Sequence, residues 1–66
     1  MRLVKRRDLI SHLERHGCYV RREGGSHTVY ESPTGQIAAV PRHSDVKTAT
    51  ARKICSTLDV PIPIGR

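Results

Sequence analysis

The apolar residues in the first quarter of the chain repeat with the period of an α-helix. In residues 5–16 they form a narrow stripe made of Leu9, Ile10 and Leu13, and the rest of the segment is largely charged or polar. This spacing is typical of an amphipathic helix. Asp8 lies near its start, where the helix dipole favours a negative charge. Gly17 follows its end, and glycine commonly ends helices because it adopts a left-handed conformation easily.

Three segments rich in β-branched and small apolar residues come next and predict an antiparallel sheet. They are residues 18–23, 26–32 and 36–40, the last of them stopped by Pro41. Gly24-Gly25 predicts a two-residue hairpin turn, since primed turns need a positive φ. In that register Glu23 pairs with Ser26 and Arg22 with His27. Residues 32–35, which contain Pro33, predict the second turn.

The last third of the chain predicts a loop, a second helix and a tail. Residues 42–48 read as an irregular basic connection, and Thr48 as the N-cap of the helix. The apolar stripe of this helix has helical spacing and consists of Ala51, Ile54, Cys55 and Leu58. Residues 61–66 contain two prolines and predict a surface tail.

The predicted order is α-β-β-β-α, which indicates an α+β fold. We expect one domain over residues 1–66 with an ordered core at about 5–60, built as a two-layer sandwich. A three-stranded antiparallel sheet carries both helices on one face, as in double-stranded-RNA-binding domains. Strand alternation places His27 with Val29 and opposite Tyr30. Because each face then carries an apolar residue, the pattern leaves open which face the helices cover.

Charge and size limit the classes of function that this chain can have. Twelve Lys and Arg residues face six Asp and Glu, giving a formal net charge of +6, which favours a phosphate-bearing partner such as nucleic acid. A solvated basic surface or an acidic protein partner is the alternative. A chain of 66 residues is too short to enclose a deep active site. The aromatic residues are Tyr19 and Tyr30 alone, which argues against base stacking on aromatic platforms.

The two cysteines, Cys18 and Cys55, are far apart in sequence and form no CxxC pair. No signal peptide or membrane-spanning run is visible. We therefore expect a cytoplasmic protein whose cysteines are reduced, small buried residues rather than a disulfide.

His27 is the leading candidate for chemistry. Breaking an RNA phosphodiester needs a group that exchanges protons near neutral pH, and cations that stabilise the charged phosphorane. Arg21 and Arg22 lie on the adjoining strand, and Ser26 with the Gly25 backbone can bind a phosphate oxygen. Against this, a histidine that follows a Gly-Gly turn is more often a rim residue without a role.

The other histidines and cations give weaker signals. His12 and His16 have a helical i, i+4 spacing that can bind metal, but no third ligand accompanies them, so no metal site is predicted. Arg42 and His43 lie in the basic connection, where they are candidates for phosphate contacts. Further cations form a possible backbone-binding surface, each of them equally readable as a solvated charge: Arg2, Lys5, Arg6, Arg7, Lys47, Arg52 and Lys53.

Taken in order, four sequence pieces resemble the HicA toxin family of toxin–antitoxin modules over roughly residues 5–60. They are "RRDLI" opening a helix that ends in glycine, "GGSH" with Tyr30 three residues on, "VPRH", and a closing helix with "ARKI". The resemblance implies a double-stranded-RNA-binding-like fold and a ribosome-independent mRNA endonuclease that needs no metal or cofactor. It implies that His27, in the Gly25-Ser26-His27 motif, is the catalytic residue. It also implies a HicB antitoxin that binds the toxin and covers this site.

The chain departs from the family pattern in its second helix. A Gly-Thr-Leu segment usually opens that helix, whereas this chain has Ala49, Thr50 and Ala51. The smaller residues, Ala51 and Cys55 among them, indicate a less bulky helix–sheet contact. These changes leave Ser26 and His27 untouched.

Three functions are thus in view. The first is an endoribonuclease toxin that uses His27 as general acid or base and is monomeric until its antitoxin binds. The second is a non-catalytic RNA-binding module of the same fold. The third is a regulatory protein whose basic face meets an acidic protein.

Overall fold

The computed structural model describes residues 3–61, which form five strands and two helices. In chain order they are β1 (Leu3–Lys5), α1 (Arg6–Arg15), β2 (Tyr19–Glu23), β3 (His27–Glu31), β4 (Ile37–Pro41), β5 (Asp45–Lys47) and α2 (Thr48–Thr57). The helices and the antiparallel sheet β2-β3-β4 confirm the α+β fold predicted from the sequence. Residues 62–66 of the predicted tail lie outside the described part of the chain.

β1 and β5 form a second, two-stranded antiparallel sheet that the sequence did not predict. Val4 pairs with Val46 and Lys5 with Asp45, so residues 45–47 are a strand and the prediction of an irregular connection there was wrong. Each strand has only three residues, Leu-Val-Lys in β1 and Asp-Val-Lys in β5, which is too short for an alternating pattern to be recognised. The pair leads directly into both helices.

One face of the main sheet is buried and the other is open. Thr28, Tyr30 and Val40 are buried, while His27 and Ala39 on the opposite face are exposed. The helices therefore cover the Tyr30 face, which settles the question that strand alternation left open. His27 projects from the uncovered side.

The core joins the apolar stripes of both helices to the buried sheet face. It is a single cluster that consists of Leu9, Leu13, Cys18, Tyr30, Val40, Val46, Ala51, Ile54, Cys55, Leu58 and Val60. Leu9 and Leu13 are fully buried, as the predicted stripe of the first helix requires. Both cysteines are free and buried, as expected. Neither helix of the described chain is long and apolar enough to cross a membrane.

The ends of most elements differ from the sequence prediction by one residue, among them the start of α2 and the end of β4. Lys47 is the N-cap of α2 and Thr48 is its first helical residue, because β5 runs straight into the helix; the prediction of Thr48 as N-cap was wrong by one residue. Pro41 is the last residue of β4, whereas the sequence predicted that the strand would end before it. An edge strand tolerates proline where no ladder N–H is needed. Gly17, with φ +86°, follows α1 in the left-handed conformation that was predicted.

Candidate active site

The β2–β3 hairpin that presents His27 turns at Gly25 and Ser26. The backbone N–H of Gly24 donates to the carbonyl of His27 at 2.8 Å, which makes these two residues the closing pair. The predicted turn at Gly24-Gly25 is therefore displaced by one residue. Neither glycine has a positive φ, so the turn is not of the primed type that the sequence suggested.

A β-bulge at Arg21 completes the change of register. On one side of the bulge Val20 pairs with Tyr30, and on the other Arg22 pairs with Val29. The predicted pairs Arg22–His27 and Glu23–Ser26 were wrong, because the one-residue shift of the turn moves the partners of these two residues by two, to Val29 and Thr28. Arg22 nevertheless shares the open face with His27, since Val29 and His27 lie on the same side of β3.

Gly24 is favoured by close approach rather than by its φ angle. A Cβ at this position would lie 3.1 Å from the His27 carbonyl oxygen, whereas a Cβ at Gly25 would meet nothing within 4 Å. The first glycine thus lets the two strands close tightly beside His27. A side chain at the second glycine would extend into open space.

His27 is exposed at the first position of β3 and is oriented by its neighbour. The Ser26 hydroxyl oxygen and the His27 Nδ1 lie 3.1 Å apart. On the other side of β3, His27 is in register with Pro41. No hydrogen bond to Nε2 occurs within residues 3–61, so this nitrogen faces solvent and is available to a substrate. The arrangement suits proton transfer, because one ring nitrogen is held while the other is free.

A shallow basic groove adjoins the same end of the sheet. It is lined by Lys5, Arg6, Arg7, Arg42 and Ser44. Its position follows from the chain path, because Arg42 comes directly after Pro41, the partner of His27. The predicted substrate-binding residues Lys5, Arg6 and Arg42 are therefore brought together here.

Arg6 is the fixed cation of this groove. Its Nε donates to the carbonyl of Pro41 at 2.8 Å and its Nη2 to the hydroxyl of Thr28 at 3.2 Å. Its backbone N–H donates to the Ser44 carbonyl at 2.8 Å. These bonds attach the start of α1 to the end of β4, to β3 beside His27 and to the β4–β5 connection.

Two carboxylates partly balance the groove. Glu23 pairs with Arg42 and also accepts a hydrogen bond from Thr28 at 3.3 Å. Asp45 lies 3.6 Å from the Lys5 ammonium. Both pairs are solvent-exposed, so each contributes little and can exchange for another anion.

The remaining predicted residues are distributed differently. Arg21 pairs with Glu31 at 2.7 Å, and Glu31 ends β3, at the far end of the strand from His27. His43 is exposed in the β4–β5 connection. Gly25 and Ser26 form the turn itself. The structure therefore places all of the predicted residues except Arg21 at the His27 end of the sheet.

His12 of α1 and its C-cap residue His16 contact each other. The rings of His12 and His16 meet edge to face with centroids 4.8 Å apart, and His12 Nε2 donates to the Pro61 carbonyl at 2.7 Å. Within residues 3–61, no group of three or more histidine, cysteine, aspartate or glutamate side chains is placed to hold a metal ion.

Sequence reasoning missed the residues that organise the groove. Thr28, Ser44 and the Pro41 carbonyl became visible only once β1 and β5 were seen to place Arg6 against the sheet. A signal was present in Thr28, a polar residue between the sheet positions His27 and Val29. Its burial at 2% exposure requires polar partners, which Arg6 and Glu23 supply.

Comparison with known proteins gives one finding. The family described as "HicA toxin of bacterial toxin-antitoxin" matches residues 6–60 of the chain. No curated protein and no solved structure matches it. The matched span contains both helices, the whole main sheet and the groove residues Arg6 and Arg42. Since the match covers most of its length, the chain belongs to the HicA toxin family of bacterial toxin–antitoxin modules.

Proposed function

We propose that this toxin is an endoribonuclease that binds and cleaves mRNA, with His27 as its general acid and base. The observation that carries the proposal is the exposed His27 ring on the open sheet face, hydrogen-bonded to Ser26 at 3.1 Å. Arg22 shares that face, and the basic groove lies at the same end of the sheet. The group proposed for proton transfer is thereby next to the groups proposed for phosphate binding.

The proposed chemistry divides between one histidine and its surrounding cations. His27 Nε2 takes a proton from the attacking oxygen, and the same imidazole, now protonated, gives one to the leaving oxygen. The Arg22 side chain forms no hydrogen bond or ion pair within the described chain, so its guanidinium is free to stabilise the charged phosphorane. Ser26 holds the ring through Nδ1.

The decisive test compares His27→Ala with His16→Ala. Both remove one exposed histidine, and His16 lies at the end of α1 away from the hairpin. Cleavage of single-stranded RNA and growth arrest should be lost in His27→Ala and retained in His16→Ala. RNA affinity should survive in both variants.

Two results would overturn the proposal. Cleavage that persists in a clean His27→Ala preparation would mean that another group does the chemistry. Loss of RNA binding in that variant, with no cleavage by the wild type, would favour a non-catalytic RNA-binding module.

As the toxin of such a module, the chain has a cognate antitoxin, and we propose a HicB-type protein that binds over His27. The free toxin is monomeric in this proposal, acts in the cytoplasm where mRNA is found, and forms a hetero-oligomer with its antitoxin. An acidic protein encoded beside the toxin should copurify with it and block cleavage. If RNA cleavage continues in the copurified complex, the site is not the covered surface.

A further inference from the structure

We propose that the basic groove binds the RNA backbone phosphate that flanks the one cleaved at His27. This inference rests on the proposed ribonuclease function and assigns the groove a distinct part in it. The groove is the surface bounded by Lys5, Arg6, Arg7, Arg42 and Ser44. Its occupant is a phosphodiester, and the role is to fix the register of the RNA strand.

The position of the groove fits a neighbouring phosphate rather than the reacting one. His27 and Pro41 are in register, so they are separated by the strand spacing of roughly 5 Å. The groove begins at the next residue, Arg42. Arg6 is held in the groove by its 2.8 Å hydrogen bond to the Pro41 carbonyl. Thr28, which contacts Arg6, faces the helices while His27 faces the opposite side. The groove cations therefore lie next to the His27 site but do not overlap it.

The cations of the groove are arranged to receive an anion. Arg6 is held by bonds from Nε and Nη2, and a guanidinium has five N–H donors, so the rest of its donors remain for a ligand. Arg7 is exposed and makes no ion pair within residues 3–61. Arg42 and Lys5 have exposed carboxylate partners, Glu23 and Asp45, which a phosphate can replace at little cost.

The start of α1 adds to the positive potential. Its N-cap, Lys5, makes no side-chain capping bond, and the dipole of this ten-residue helix points its positive end at the groove. Asp8 in the first turn, Glu23 and Asp45 offset part of this charge. Four cationic side chains remain against these three carboxylates, with the helix dipole added.

The binding test uses Arg7→Gln and Arg42→Gln, each in the His27→Ala background so that the RNA stays intact. Arg15→Gln is the matched control, because it removes the same charge from the other end of α1. Affinity for single-stranded RNA is measured at several salt concentrations. If the groove holds one phosphate, each groove variant should bind about threefold to tenfold more weakly. Its log–log salt slope should be shallower by about 0.7, with no change in the control.

A neutral linkage identifies which phosphate is bound. A methylphosphonate is placed in turn at each position of an oligonucleotide whose cleavage site has been mapped with the wild type. The linkage beside the cleaved one should weaken binding to the His27→Ala protein. Its effect should be smaller once Arg7→Gln is present, because one of the cations that contact that phosphate is already lost.

The outcomes separate this inference from the function on which it rests. Groove variants that match Arg15→Gln in affinity and slope would refute the groove, while loss of cleavage in His27→Ala would still support the enzyme. Groove variants that keep RNA affinity but lose the antitoxin would show a protein-binding surface, which also overturns the inference. Circular dichroism of each variant checks that it is folded.

Discussion

At the scale of single residues, the Ser26–His27 contact is what distinguishes this histidine from an ordinary rim residue. An exposed imidazole without a neighbour samples many orientations, and it contacts a substrate in few of them. The 3.1 Å separation of the Ser26 oxygen and Nδ1 restricts the ring and directs Nε2 outward. In the proposed mechanism, Ser26 is thus a positioning residue that acts through His27.

We expect Ser26→Ala to lower kcat about fivefold to tenfold, since one hydrogen bond contributes roughly 1 kcal/mol. KM should change little, because the phosphate-binding cations are untouched. Ser26→Thr keeps the hydroxyl and should restore most of the rate. Steady-state cleavage of one RNA by the three proteins checks this. A loss that appears mainly in KM would assign Ser26 to substrate binding instead.

The two glycines before Ser26 should respond differently to alanine. In Gly24→Ala the new Cβ lies 3.1 Å from the His27 carbonyl oxygen, and relieving this contact should cost about 1 kcal/mol of unfolding free energy. Gly25→Ala meets open space and should be neutral or stabilising by up to about 1 kcal/mol, because it restricts the unfolded chain. Urea unfolding measures both. Equal losses would contradict the turn geometry described above.

At the scale of elements, the sequence predicts long periodic segments and fails on short or irregular ones. The stripe around Leu9 and Leu13 predicted α1, and β-branched enrichment around Thr28 and Val29 predicted β3. A single valine in each of β1 and β5 left no pattern to recognise. The bulge at Arg21 changes pairing without changing composition, so the register was out of reach. The face that carries His27 was equally hidden, because it depends on where the helices pack.

The end of α1 offers a paired test of backbone conformation against packing. Gly17 and Gly35 both have positive φ, at +86° and +96°, but only Gly17 would place a Cβ 2.9 Å from the Pro33 Cγ. Gly35→Ala should lose about 1–2 kcal/mol from the left-handed conformation alone. Gly17→Ala should lose more than this, since Pro33 must also move. Thermal and urea unfolding of the two variants compare them directly, and a larger loss at Gly35 would contradict the Gly17–Pro33 contact.

At the scale of the whole molecule, the fold brings four of the twelve Lys and Arg residues together in one groove. The start of α1, the end of β4 and the β2–β3 turn come from distant parts of the chain, and the fold brings them to one end of the sheet. The short β1–β5 sheet makes this possible. Because β1 ends at Lys5 and leads directly into α1, Arg6 lies against Pro41. The β1–β5 sheet therefore has a structural role and also positions the proposed phosphate-binding groove.

The small core contains two thiols, and their burial links stability to pH. Cys18 and Cys55 are 4% and 0% exposed, and burial raises the pKa of each thiol above its ordinary value of 9.0. As the pH rises past about 9, thiols of the unfolded chain lose their protons first. The unfolded state then binds fewer protons than the native state, so the unfolding free energy falls with rising pH. Burial likewise raises the pKa of the Tyr30 phenol above 10.0, which extends the loss to higher pH.

Urea unfolding under reducing conditions from pH 7.5 to 10.5 should therefore show a stability that declines above pH 9. The slope from the thiols can reach at most about 1.4 kcal/mol per pH unit for each group. The double variant Cys18→Ala/Cys55→Ala is the control. It should be less stable throughout, because cavities replace the sulfur atoms, yet should lose less of its stability between pH 9 and 10. A decline identical to that of the wild type would mean that other groups, Tyr30 among them, cause the alkaline loss.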